Sequence, residues 1–161
     1  LVPLSSWAAP GSTVVVAVRQ KIAPGWHTYW RNPGDSGGPT TLDWTLPQGV
    51  KAGGITWPLP ERQRLLSLIN YGYSGEVYLP VTIEVPASAR PGTTLPLIAD
   101  ALFLVCSDQM CVPVPMQLRL DRCAKARRRW MRNMVRRFRP CWRPRPVPQG
   151  LMRPFPCRTA S

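Results

Sequence analysis

Gly75-Glu-Val-Tyr-Leu-Pro-Val-Thr-Ile-Glu-Val85 decides the fold class. Val77, Leu79, Val81, Ile83 and Val85 fall on one face at period 2, with Glu76, Thr82 and Glu84 opposite. That alternation is the mark of a half-buried strand, because successive strand side chains point to opposite faces. The same signature recurs towards the N-terminus. Thr13 to Gln20 is a β-branched run behind the turn signal Pro10-Gly11, and such residues suit a pleated surface. Pro24-Gly25 leads into Trp26-His27-Thr28-Tyr29-Trp30, where Trp26, Thr28 and Trp30 share a face. Residues 32–39, Asn-Pro-Gly-Asp-Ser-Gly-Gly-Pro, read as loop. Thr40 to Leu46 alternates through Leu42, Trp44 and Leu46, and Gly54 to Trp57 is a short strand.

The pattern continues towards the C-terminus. Residues 86–92 form a turn, Thr93 to Val105 is a long apolar run that reaches Cys106, and Met116, Leu118 and Leu120 share a face. Only Pro58 to Asn70 is irregular; there Leu65, Leu66, Leu68 and Ile69 predict at most one or two helical turns. Seven or eight short strands, Pro/Gly turns and no long helical period predict an all-β, antiparallel sandwich. The 20 prolines among 161 residues argue the same way, since interior prolines break helices. No run of 18 apolar residues offers a membrane-spanning helix. The first residues carry neither an initiator Met nor a signal segment, which reads as a fragment or processed chain.

The formal net charge of +13 points at first to an anionic partner. Its distribution changes that. Residues 1–120 carry eight basic side chains against seven acidic ones, whereas residues 121–161 carry thirteen against Asp121 alone. The sequence therefore divides into a near-neutral domain, 1–120, and a basic tail, 121–161. The tail, with twelve Arg, six Pro and three Cys (Cys123, Cys141, Cys157), is too polar to build a core and is expected to be disordered. Its composition is what shifted GC-rich codons would yield, so an out-of-frame origin is the favoured reading. An arginine-rich arm for nucleic acid or anionic lipid is the alternative. Nucleic acid is not the expected partner of the domain.

Chemistry concentrates in Cys106-Ser-Asp-Gln-Met-Cys111, between the long apolar strand and the closing one. Across a tight turn, two such thiols fit the roughly 4.4–6.8 Å Cα separation of a disulfide, one at each strand end. Three readings stand side by side: a static disulfide, a soft Cu(I) site with Met110 as third sulfur ligand, and a redox pair that exchanges with a partner's disulfide. The spacing is not the CxxC of thioredoxin-like folds, and no helix N-terminus is present to lower a thiolate pKa.

Three separated segments carry a family resemblance. Ile22 to Gly37, with its Ala-Pro-Gly-Trp-His-Thr-Tyr-Trp-Arg-Asn-Pro-Gly-Asp-Ser core, Asn70-Tyr-Gly-Tyr73, and Cys106 to Pro113 resemble the N-terminal periplasmic domain of the thiol:disulfide interchange proteins DsbD and ScsB. The resemblance spans roughly residues 10–120. It implies an immunoglobulin-like sandwich acting as a protein-disulfide reductase module of a larger membrane protein. In that reading Cys106 and Cys111 are the redox pair and need no other cofactor. Electrons come from a membrane-embedded domain, the full-length relatives also carry a thioredoxin-like domain, and periplasmic thiol-disulfide proteins receive the electrons. Cys111 is favoured over Cys106 as the sulfur of the mixed disulfide. Asn70, Tyr71 and Tyr73 match the family's cap loop, with Tyr71 or Tyr73 as the aromatic lid; the alternative is that both tyrosines simply pack the sandwich edge. Val114 departs from the pattern, standing where relatives commonly carry Glu, so an acidic neighbour of the pair is absent.

The remaining candidates read as structural. His27, the only histidine, is expected to be a packed or edge residue, and without a second His a histidine metal site is not expected. Trp26, Trp30, Trp44 and Trp57 read as core. Asp35 and Asp43 have no partner for acid–base work, and the glycines at 34–38 precede a strand rather than a phosphate-binding helix.

Overall fold

A computed structural model describes residues 1–5, 8–65 and 67–124. Ten strands follow one another: β1 (Val2–Pro3), β2 (Thr13–Lys21), β3 (Thr28–Gly34), β4 (Thr41–Thr45), β5 (Lys51–Ile55), β6 (Glu61–Leu65), β7 (Leu68–Tyr73), β8 (Glu76–Glu84), β9 (Thr94–Cys106) and β10 (Cys111–Cys123). They form three antiparallel sheets in the orders β1-β2-β8-β5, β10-β9-β4 and β3-β7-β6. The fold is the all-β sandwich expected from the alternation, immunoglobulin-like as the resemblance implied.

The first two sheets enclose the core. Val14 and Val16 of β2 and Val81 and Ile83 of β8 meet Leu95 and Leu97 of β9, with Leu42, Trp44 and Leu120 packed against them. A second cluster joins Val18, Val77 and Leu79 to Ala101, Phe103 and Tyr73. Leu79, Val81 and Ile83, the inward face of the strand quoted first, are at most 1% exposed. Each such side chain contributes about 1.5–3 kcal/mol when removed from water. The outward face carries the exposed Arg19–Glu76 pair at 2.8 Å, a β2–β8 surface contact that solvent screening keeps weak.

The structure revises three expectations. Among the described residues of 58–70 there is no helical turn: Leu65 pairs with Leu68, and β6 and β7 pair antiparallel. The spacing of Leu65, Leu66, Leu68 and Ile69 mimics a helix over too few residues to outweigh strand pairing. Residues 32–34 belong to β3 rather than to a loop; an irregular register between Tyr29 and Gly34 absorbs Pro33, which cannot donate to a ladder. Residues 121–124, which composition assigned to the tail, complete the sandwich. β10 runs to Cys123, and the buried Ala124 bridges Ala8. Backbone pairing does not depend on side-chain charge, and Arg122 donates to the Ser5 carbonyl. Residues 125–161 lie outside the described residues, and with them the expected disorder and out-of-frame origin of the tail.

Candidate active site

β9 and β10 pair along their whole length in a register that sets Cys106 directly opposite Cys111. Ser107 shapes the four-residue turn between them. Its amide donates to the Met110 carbonyl (2.8 Å), and its hydroxyl accepts from the Gln109 and Met110 amides (3.3 Å each). The two sulfurs are bonded, with the Cα atoms 4.0 Å apart. Burial separates them: Cys106 is 0% exposed, whereas Cys111 stands in the open beside Met110 (57% exposed) and Val112 (39%).

β3 begins at this bond. The His27 amide donates to the Cys106 carbonyl (2.9 Å), and the Cys106 amide donates back to the His27 carbonyl (3.0 Å). That pair of backbone bonds fixes the start of β3 against the end of β9. Tyr29, two residues on and therefore on the same face as His27, is 1% exposed. Its hydroxyl lies 3.2 Å from His27 Nε2 and 3.9 Å from Cys111 Sγ. The two rings meet edge to face, 5.2 Å between centroids. Burial depresses protonation of His27, and the Asp108 carboxylate opposes this in part. Burial raises the Tyr29 phenol, partly offset by a hydrogen bond with Ser36. Both groups are accordingly neutral at neutral pH.

The loop after β3 closes over Tyr29. Gly37 sits at φ +91°, and a Cβ there would fall 2.3 Å from the Tyr29 ring, so only glycine lets the chain lie on it. Asn70, wholly buried in β7, binds this loop through Ser36, and the Asp35 carboxylate accepts from the Ile69 amide (2.8 Å). Gly72 is equally constrained, because its Cβ would collide with the Thr28 carbonyl where β3 and β7 pair. The segments 22–37, 70–73 and 106–113 thus converge on one place.

The residues that the resemblance assigned to a cap loop lie in a strand. Asn70, Tyr71 and Tyr73 are not in a loop; they belong to β7, which is paired on both sides. Asn70 anchors the 35–38 segment. Tyr73 is a core residue, its hydroxyl donating to the Pro58 carbonyl (2.9 Å) and its phenol pushed up to about 12 by burial. Tyr71, 39% exposed, shares the Tyr73 face by strand alternation. Gly72 and Asn70 share the opposite face, on which Gly72 pairs with Tyr29. Tyr29 is an aromatic group in contact with the disulfide. Period 2 carried the signal for it: His27 and Tyr29 occupy the alternate face to Trp26, Thr28 and Trp30. His27 is packed, as expected of it, and hydrogen-bonded as well. Trp30, Trp44 and Trp57 are half-buried against the core clusters. Trp26 lines an open apolar cavity of about 450 Å³ with Ile22, Phe103, Val105, Val112 and Val114. Among the described residues no three His, Cys, Asp or Glu side chains gather as a metal set.

Residues 2–121 match the family described as thiol:disulfide interchange protein DsbD, N-terminal. The chain belongs to this family. The DsbD N-terminal assignment covers every strand except the last residues of β10, and the disulfide with it. Among solved structures, the N-terminal periplasmic domain of ScsB from Proteus mirabilis is similar in fold, with a TM-score of 0.50 and 23% identity. The match covers 72% of this chain and 42% of that one, so the chain spans well under half of the ScsB domain's length. A comparison with curated proteins gave no significant match.

Proposed function

We propose that this DsbD N-terminal-type domain is a periplasmic thiol-disulfide exchange module that hands reducing equivalents to partner proteins through Cys106 and Cys111. The observation that carries this reading is the asymmetry of the bond, which joins an exposed residue, Cys111, to a fully buried one, Cys106. Exchange requires in-line access to one sulfur and a second, protected sulfur that resolves the intermediate. In the reduced domain the Cys111 thiolate attacks a sulfur of the partner's disulfide, and the electron pair of the broken bond leaves on the partner's other sulfur. Cys106 then attacks Cys111 Sγ. The mixed disulfide breaks, the partner departs as a dithiol, and the Cys106–Cys111 bond is restored. Two electrons return by the reverse exchange from a thioredoxin-like or membrane-embedded domain of a larger protein. Met110 and Val112, exposed and apolar around Cys111, suit a partner's docking surface. No cofactor beyond the cysteine pair enters this cycle.

The test is the reduction potential of the pair, measured on the full chain in graded thiol-disulfide buffers with peptide mapping of Cys106 and Cys111. Exchange-active bonds lie above about −300 mV and structural ones below it. A value below that bound would replace this reading with a static disulfide in a binding module.

A further inference from the structure

The His27 side chain and the Tyr29 hydroxyl stand in a row with Cys111 Sγ, each within hydrogen-bond reach of the next. The His27–Cys106 link is made by backbone atoms alone. The segment over Tyr29 lies against its ring carbons, and the hydroxyl has Ser36 as a further partner. That hydroxyl is placed 3.9 Å from Cys111 Sγ and 3.2 Å from His27 Nε2.

We infer that Tyr29 and His27 form a proton relay for Cys111. In the reduced domain the Cys111 thiol donates to the Tyr29 oxygen while the Tyr29 hydroxyl donates to His27 Nε2. As the thiolate forms, the Cys111 proton passes to the Tyr29 oxygen and the Tyr29 proton passes to Nε2. The products are a thiolate at Cys111, an unchanged phenol and an imidazolium at His27. No atom or electron is left over, and the proton returns along the same path when Cys111 is the leaving sulfur. The relay requires the tautomer with its proton on Nδ1, so that Nε2 can accept. Tyr29, which touches the reacting sulfur, is the catalytic residue; His27 acts through it as a positioning residue.

The surroundings fit a group that is neutral at rest and charged only while a thiolate is nearby. From the hairpin turn, Asp108 faces His27 with a negative charge that favours the imidazolium. From β10 comes Cys111 itself, and from the loop and β7 the uncharged Ser36 and Asn70. Asp35 in that loop has its carboxylate engaged by the Ile69 amide. Val114 offers no carboxylate, and the Tyr29 hydroxyl reaches both Cys111 Sγ and His27 Nε2. This inference deepens the exchange reading and concerns the same site.

Iodoacetamide alkylation of the reduced full chain tests it, with peptide mapping reading Cys111 apart from the tail cysteines. The relay predicts that Tyr29→Phe slows Cys111 alkylation at neutral pH roughly tenfold, the scale of one hydrogen bond to a charged group. His27→Gln is expected to slow it by a similar factor and to erase an inflection of the wild-type profile at or below the ordinary histidine range, about 6.5. Unchanged rates and profile in both variants would overturn the relay. A defect in Tyr29→Phe with none in His27→Gln would remove His27 from it and equally overturn it. Thermal unfolding separates a folding defect from these outcomes, because only the relay moves the pH profile. Alkylation reads proton transfer at Cys111 whatever the reduction potential proves to be, so failure here and failure of the exchange reading are distinct results.

Discussion

Asn70 grips Ser36 through three hydrogen bonds. Its Oδ1 accepts from the Ser36 amide (3.1 Å) and hydroxyl (3.2 Å), and its Nδ2 donates to that hydroxyl (3.0 Å). The contact ties β7 to the segment lying on Tyr29, and it is wholly buried on the Asn70 side.

Asn70→Ala is expected to cost about 1–3 kcal/mol, because it leaves the Ser36 amide without its partner. Ser36→Ala keeps that amide bond and should cost less than half as much. Denaturant unfolding of both variants measures the difference, and equal losses would contradict the assignment of Asn70 as the anchor.

Exchange polarity should follow burial. Cys106→Ser is expected to trap a mixed disulfide through Cys111 when the reduced chain meets a disulfide-bearing probe protein, since the sulfur that would resolve it is gone. Cys111→Ser should form at least tenfold less adduct, because the remaining thiol is 0% exposed. Mass spectrometry of adducts mapped to each cysteine decides; a dominant Cys106 adduct would reverse the roles.

The two tyrosines of β7 should respond in opposite ways. Tyr71→Ala is expected to leave air oxidation of the reduced pair within twofold of the parent, as its side chain lies on the face away from Tyr29. Tyr73→Ala should lower stability by about 3–5 kcal/mol, the range for emptying an aromatic site in a core. Faster oxidation in Tyr71→Ala at unchanged stability would restore a lid role to it.

Stability should fall at both ends of the pH range. His27 is held below its ordinary value by burial, so the unfolded chain binds its proton first. Its contribution is complete above about 6.5 and is lost as pH falls through the folded value. Tyr73 is raised to about 12, so its contribution is complete below the usual tyrosine value of 10.0 and is lost as pH climbs towards 12. Unfolding free energy across pH for the parent, His27→Gln and Tyr73→Phe checks both. His27→Gln should flatten the acidic limb and Tyr73→Phe the alkaline one.

Much of this was legible before any coordinates. Period 2 marked β4, β8 and β10, whereas β2 and β9 showed as a β-branched run and a long apolar run. The Cys106/Cys111 facing followed from a four-residue gap between two strands. Tyr29 was not singled out, since a strand buried on both faces has no polar side to set one face off from the other. Trp26 and Trp30 drew the inward reading, leaving His27 and Tyr29 on what seemed the outer face. That face is covered by residues 35–38, a glycine-rich segment whose own sequence says turn and nothing of what lies beneath it. The β6–β7 pairing was missed because two short strands that meet at Leu65 and Leu68 present four apolar residues at helical spacing. Asn70 was singled out by its neighbours in sequence, and its bonds to Ser36 need the fold to bring residues 34 apart together.

The thirteen-residue ladder between β9 and β10 has a mechanical consequence. One end carries the sulfur bond; the other is clamped where Ala124 accepts from the Gly92 amide and donates to the Thr93 carbonyl. Opening the bond removes a clasp from a seam already stitched along its length. The oxidised and reduced domains should therefore share one architecture, and the electron count of the pair can change without the scaffold registering it. Such a part can be loaded and unloaded many times with no refolding in between.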